Sequence, residues 1–546
     1  MPADAKANPA RTAAPRSAAR RPTTSGNTVT IAALAAVATA ALFELSAAEP
    51  RFWFCGLLAP LPLLATAVEL PTERAAQFAF LAYFIGNLAA WGGESFAVPL
   101  VQLFASHIAG AVVFATFVAA AIEATRRWSG ILAALVFPTF ETAFYFSLGQ
   151  QSPHGTWGSP AYSQVDFLPM LQTASWLGMC GVQFIMSLLP SGLAVAWYRR
   201  RWNMDWTYPA IMAVGVFGFA FLLGSFRVLL APKTPLVRVA MVASDRLVPQ
   251  SESGDITDAA DIVALYAKLV HKAADGRTQV VVLPEKIVGA TPSYEWDIIQ
   301  GFSRIATMSH VWLVVGLNQV GRSPKRNIAI VFNPDGKIAS AYAKHHLIPS
   351  LEWDYKPGTK PAIFDAPWGR TAVLICQDLD FTDTARELAA NNVRVVLAPA
   401  SDWRGSEMIH QRMAVARGVE FGFSLARSAR GGFVSASDSR GRKIATLATA
   451  SSKDAVLIAD LPLGSGSTLY SHTGDWFGRL CIIFTILLML RLAISIFSAA
   501  YRRRIAGASR VASSDVVPVE VGSSQPAAAA PEPADEIYHA PTRRPD

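Results

Sequence analysis

The stretch "AVLICQDLDF", residues 372–381, runs through four apolar residues to Cys376 and then turns polar and acidic. Unbroken apolar character suits a strand buried on both faces of a sheet rather than one with a wet side. In open α/β sheets, reactive side chains sit just past the carboxyl ends of such strands. Cys376 occupies that place, so the segment predicts an α/β domain with a thiol at its working edge. A single cysteine after a strand is also an ordinary small core residue, so the neighbouring segments have to decide.

The same texture extends outward from about 232 to 478. "LVRVAMVA" (236–243), "TQVVVLPE" (278–285), "VWLVVGLN" (311–318) and "VRVVLAPA" (393–400) read as strands. Helical spacing marks 258–273, about 294–309, 382–392 and 406–421. "RNIAIVFNPDGKIAS" (326–340) reads as a hairpin about a D-G turn, and "GFSLARS" (422–428) and "GFVSASD" (432–438) read as further strands. Strands alternating with helices, with hairpins inserted, predict two layered sheets between helical layers.

Outside that region the composition changes. Of the 546 residues, 52% are hydrophobic and 16% charged, against about a quarter charged in soluble proteins. Runs nearly free of charge occur at roughly 28–47, 52–70, 75–93, 99–122, 129–149, 172–197, 209–230 and 480–500. Each is about the 17–25 residues that a helix needs to cross about 30 Å of hydrocarbon. The expected order is a basic tail (1–27), a seven-span membrane domain (28–231), the α/β domain (232–478), a closing span (479–500) and a tail rich in Ala, Pro and Glu (501–546). Neither tail carries enough apolar surface to fold. No cleavage site follows the first run, which is therefore read as a retained span.

The net charge of +8 raises the question of nucleic acid. The basic residues instead gather beside the spans, in "RSAARR" (16–21), "EATRRW" (123–128), "YRRRW" (198–202) and "YRRR" (501–504). In an alternating eight-span count all four clusters fall on the cytoplasmic face and the α/β domain on the other. No nucleic-acid partner is expected. Of the four cysteines, Cys55, Cys180 and Cys481 lie in or beside apolar runs, leaving Cys376 alone in the domain. That excludes a disulfide-stapled scaffold. No histidine pair has ligand spacing around a cysteine, and the adjacent His345 and His346 are read as turn residues; neither a metal nor another cofactor is expected.

Two further residues sit where chemistry is placed: Glu285 after "VVVLP", and Lys344 in "AYAKHHLIP". Singly, the first is a plausible helix cap and the second a solvated cation. Together with Cys376 they make a base, an oxyanion-stabilising cation and a nucleophile. A thiol with a pKa of about 8.5 is mostly protonated at neutral pH and needs such a base. The backbone N–H of Gln377 is placed to help Lys344 at the oxyanion. Glu352 and Asp378 are nearby acids that either hold the lysine, assist proton transfer or lie at the surface.

"VVLPE", "YAKHHLIPSLE" and "LICQD", in this order, resemble the Glu–Lys–Cys domain of the nitrilase superfamily. The resemblance implies an αββα sandwich with Glu285, Lys344 and Cys376 as the catalytic set and Glu352 as the supporting acid. With the spans, "TWGSPAYSQ" (156–164), "LQTASWLGMCGVQFI" (171–185) and "LYSHTGDWFG" (469–478) are similar to segments of the bacterial apolipoprotein N-acyltransferases, over about residues 30–500. That implies a multi-pass monomer of the bacterial inner membrane with its catalytic domain in the periplasm. It also implies transfer of an acyl chain from a phospholipid, through a cysteine thioester, to the N-terminal amine of a diacylglyceryl-cysteine lipoprotein. Trp157 and Tyr162, in a loop (150–171) whose Pro, Gly and aromatic content suits a shaped irregular segment, and Arg404 and Arg430, as cations that suit an anionic headgroup or another acidic substrate, are the candidate substrate contacts. The chain departs from the family at Gln377-Asp378, where Tyr-Glu is usual, in the short run from Glu352 to Cys376, and at Arg404 and Arg430, where an aromatic and an Asn are common. These departures keep three alternatives open: an acyltransferase with another amine acceptor, a membrane-tethered amidase, and a non-catalytic membrane assembly protein.

Overall fold

The computed structural model describes residues 25–88, 99–403, 405–449 and 453–514. Among these, six helices are long and apolar enough to cross a membrane: Gly26–Ala48, Leu100–Arg127, Gly130–Gln151, Ala174–Arg201, Thr207–Leu229 and the Trp476–Arg502 part of the last helix. The run expected as one span over 52–70 is instead two short helices, Trp53–Leu58 and Leu61–Ala67. Pro60 and Pro62 sit at the join, and neither has an N–H to continue the helical ladder. The run at 75–93 is helical over Thr72–Gly86; residues 89–98 lie outside the description. Most of both expected tails does too. Residues 493–514, the C-terminal part of the last helix, belong to a second unit that begins at Ala493.

The α/β domain holds two sheets. In the first, β1 (Leu236–Ser244), β2 (Val280–Val282), β4 (Trp312–Gln319), β5 (Arg326–Phe332) and β6 (Ile338–Ala343) run in the order β13-β1-β2-β4-β5-β6, with β3 (Val288–Ala290) also on β4. In the second, the order is β12-β11-β10-β9-β8-β7, from β7 (Ala362–Ala366) and β8 (Gly369–Val373) through β9 (Val395–Ser401), β10 (Ser424–Arg430) and β11 (Phe433–Ser437) to β12 (Lys443–Ala448). The expectation of two layered sheets between helices holds. Strand β13 (Asp454–Pro462) pairs antiparallel with β1 from Leu236↔Pro462 to Ser244↔Asp454.

The unbroken apolar strands follow from the layering. Along β1, Val237, Val239, Met241 and Ala243 face the second sheet, where Val395, Leu397 and Ala426 lie on the inner face. Ala240 and Val242 face the helices Ile256–Ala273 and Glu295–Ser309. Helix Glu407–Phe421 is buried at every residue from His410 on, because it lies between the second sheet and the membrane part. Its Met413, Val415, Ala416 and Val419 pack with Tyr162, Val165, Met170 and Val182. A helix covered on both sides shows no single apolar stripe, and its polar residues must find partners inside.

Candidate active site

Three strand ends converge. Glu285 follows β2, Lys344 follows β6 and Cys376 opens a 3-10 turn, Cys376–Asp380, after β8. All three are buried. Lys344 Nζ lies 2.8 Å from Glu285 Oε1 and 2.9 Å from Glu352 Oε2. Asn327 Nδ2, on β5, donates to Glu285 Oε1 at 2.5 Å and to Glu352 Oε1 at 2.8 Å. Glu352 is saturated: Oε2 also accepts from the Ile348 N–H at 3.0 Å, and Oε1 takes the ammonium of Lys286 at 3.3 Å. Glu285 Oε2 has no hydrogen bond to any described residue. Glu285 therefore has an oxygen free to receive a proton, and Glu352 does not.

The backbone sets this geometry. Gly316 on β4 passes so close to the Glu285 turn that a Cβ there would lie 2.3 Å from Pro284 O and 2.7 Å from Glu285 Cα. The Glu285 N–H reaches Ala400 O at 3.3 Å, which ties it to the second sheet. Cys376 has φ +46°, a left-handed conformation that side chains adopt at a cost and that recurs at reactive turns. Asp378 holds that turn: Oδ2 accepts from the Ile375 N–H at 3.0 Å and the Tyr342 hydroxyl at 2.8 Å, and Oδ1 from the N–H groups of His345 (3.2 Å) and His346 (2.8 Å). One carboxylate thus fixes the nucleophile turn to the segment that follows Lys344. Asp378 is a buried anchor, not a surface acid.

Charges around the thiol oppose its ionisation on balance. Burial, with the Glu285 and Asp402 carboxylates adding to it, pushes Cys376 well above its ordinary value, against the opposing pull of Lys344 and Arg427. Cys376 Sγ donates to Ser401 O at 3.5 Å. Burial also works against the charge on Lys344, but Glu285 and Glu352 outweigh it and keep the ammonium protonated. Burial opposes ionisation of Glu352 as well, yet Lys344 and Lys286 bring it down to about 2. Arg427 and Asp402 form a second buried ion pair beside the site, with Nη1 2.9 Å from Oδ2.

The loop between helices Gly130–Gln151 and Ala174–Arg201 packs directly on the nucleophile turn. Gln377 Nε2 donates to Pro153 O at 3.1 Å, and Thr156 Oγ1 to Asp380 O at 2.9 Å. Arg417, fully buried, donates to Leu379 O at 3.1 Å and to Thr156 Oγ1 at 2.7 Å, and also reaches the Tyr162 hydroxyl and Glu420. Glu420 in turn accepts from the Met179 N–H at 2.7 Å, where Gly178 (φ +69°) interrupts the membrane helix. A cavity among these elements is lined by Tyr145, Phe146, Tyr162, Met179, Arg417 and Tyr470.

The expected substrate contacts divide. Trp157 sits against Trp403 and His410, with ring centroids 6.1 and 4.7 Å away, close to the end of the nucleophile turn. Tyr162 is buried and spends its hydroxyl on Arg417 and Thr156. Arg430 is buried and points to Ser251, with Nη1 3.0 Å from Oγ; it packs as an internal strut. Arg404 lies outside the described residues. Sequence reasoning missed Asn327, Lys286, Arg427 and Arg417. Each is an ordinary polar residue in its own segment, and only the pairing of distant strands and helices gives it a role.

Residues 239–469 match the carbon-nitrogen hydrolase family, and residues 39–192 match the apolipoprotein N-acyltransferase N-terminal domain. The chain is 26% identical over 498 residues to an apolipoprotein N-acyltransferase of Geobacter metallireducens, covering 83% of this chain and 92% of that one. It is 23% identical over 491 residues to another of Vibrio vulnificus, covering 81% and 93%. A solved amidase from Nesterenkonia sp. is 19% identical over 45% of this chain and 97% of its own, with a TM-score of 0.38.

Proposed function

The chain belongs to the apolipoprotein N-acyltransferase family, within the carbon-nitrogen hydrolase group, and on that premise we propose that it N-acylates lipoproteins through a thioester on Cys376. The observation that carries the mechanism is the unequal occupancy of the two carboxylates on Lys344, which leaves Glu285 Oε2 as the open base.

The steps follow from that arrangement. Glu285 Oε2 takes the proton of the Cys376 thiol, whose burial and anionic neighbours keep it protonated until attack. The sulfur adds to the ester carbonyl of a phospholipid, and the Lys344 ammonium, held cationic by two carboxylates, lies beside the developing oxyanion. Collapse breaks the ester C–O bond, and Glu285 returns the proton to the departing lysophospholipid alcohol. The amine of a diacylglyceryl-cysteine N-terminus then attacks the thioester. Glu285 takes the amine proton and passes it to the leaving sulfur, which restores the thiol and leaves an amide. Excluding water from the buried thioester favours the amine over hydrolysis.

In this reading the protein is a multi-pass protein of the inner membrane with its catalytic domain in the periplasm, where phospholipid rather than a soluble acyl carrier is at hand. The direct test is to incubate the full-length protein in phospholipid vesicles with a diacylglyceryl-cysteine peptide. A peptide heavier by one acyl chain on its amine is expected. Release of free fatty acid with no change in the peptide would make the protein a hydrolase instead.

A further inference from the structure

We infer that His345, His346 and Asp383 form a site for a divalent transition metal of the Zn2+ class, beside the nucleophile turn. One ligand atom from each lies within 4.8 Å of the others. His345 Nδ1 is 2.7 Å from Gly358 O. A carbonyl only accepts, so Nδ1 carries the proton and Nε2 of the neutral ring is left with its lone pair. His346 Nδ1 lies against Asp378 Oδ1 at 3.3 Å. Each imidazole thus has its Nδ1 engaged by a backbone carbonyl or a carboxylate, the outer arrangement that orients metal-binding histidines.

The remaining contact has the spacing of a metal edge. His346 Nε2 and Asp383 Oδ2 are 3.2 Å apart. That distance is also the long end of a direct imidazole–carboxylate hydrogen bond, which holds the two side chains together when no ion is bound. Two ligands of a tetrahedral Zn2+, each at about 2.0–2.1 Å, stand about 3.3 Å apart. Two imidazole nitrogens and one carboxylate oxygen suit Zn2+, with water at the fourth position. His345 and Asp383 are exposed and His346 half-buried, so an ion reaches the site from solvent. The proton that His346 otherwise holds between Asp378 and Asp383 is the ion's competitor.

The placement gives the ion a consequence. His345 and His346 directly follow Lys344, Asp383 lies in the first turn of the helix Thr382–Ala390 just after the nucleophile turn, and His346 shares Asp378 with the Ile375 N–H. A bound ion would clasp the lysine segment to the far side of the Cys376 turn. The inference does not depend on which acceptor the enzyme uses.

The test uses full-length, tag-free protein in detergent micelles, stripped of metal with a chelator and titrated with Zn2+ and, separately, Co2+. One equivalent should bind with a dissociation constant on the order of micromolar or below. Zn2+ should raise the thermal midpoint, increasingly with the logarithm of its free concentration above the dissociation constant, and Co2+ should give the visible absorption of a four-coordinate ion. His345→Gln and Asp383→Asn, both at exposed positions, should each weaken binding at least about tenfold and reduce the rise in midpoint that Zn2+ gives over each variant's own metal-free value. No saturable binding below about 100 μM, or binding untouched by both substitutions, would overturn the inference.

Discussion

Glu285 and Glu352 both hold Lys344, and their remaining hydrogen bonds separate their roles. Replacing Glu285 by Gln keeps the shape and removes the open basic oxygen, so acylation of Cys376 should slow by about 10²-fold or more in single-turnover measurements. Glu352→Gln should act differently. Its carboxyl is held at about 2 against an ordinary 4.5, so it binds fewer protons folded than unfolded between those values. It therefore stabilises the fold fully above about 4.5, and that contribution is lost as pH falls through 2. Thermal midpoints measured from pH 6 downward should fall more steeply over this range in the wild type than in Glu352→Gln; parallel curves would remove Glu352 from the ion cluster. Lys344→Met should cost about 3–4 kcal/mol of transition-state stabilisation, seen in kcat with phospholipid KM little changed. The trio was legible because Glu285, Lys344 and Cys376 each close a readable strand-end motif. Asn327 was not: it reads as one polar residue in "RNIAIVF", and becomes a clamp only when β5 lies between β4 and β6.

The elements around the site explain what else was hidden. The loop after helix Gly130–Gln151 stood out for its Pro, Gly and aromatic content, but sequence alone did not show that it rests on the Cys376–Asp380 turn. Gly155, at φ +57°, marks the contact: a Cβ there would lie 2.4 Å from Asp380 O. Gly155→Ala should displace the turn and lower acyl-enzyme formation at least tenfold, with Glu285, Lys344 and Cys376 all present. Unchanged acylation would mean that the loop merely covers the turn. Arg430 shows the opposite lesson. Its type suggested an anionic ligand, yet β10 turns it inward to Ser251. β13 went unread because its partner β1 lies some two hundred residues earlier in the chain, a pairing that local patterns do not record.

At the scale of the whole molecule, the helices show two ends. Met179 touches the catalytic domain through Glu420, while Arg199 and Arg201, roughly 30 Å further along the same helix, meet Trp128 O and Glu69. Arg126 and Arg127 close the helix that ends beside them. Basic residues gathered away from the domain favour a cytoplasmic face at that end and a periplasmic domain. A membrane-impermeant thiol reagent applied to intact cells should label a cysteine introduced at Lys337 and spare one at Arg201; the reverse pattern would invert the topology. The central claim is covalent, and intact-mass analysis of the full-length protein after incubation with phospholipid addresses it most directly. The account predicts a mass gain of one acyl chain mapped to Cys376, discharged by a diacylglyceryl-cysteine peptide and absent in Cys376→Ser. A chain that transfers acyl groups with no adduct at Cys376, or whose Cys376→Ser variant does so at the normal rate, would contradict it.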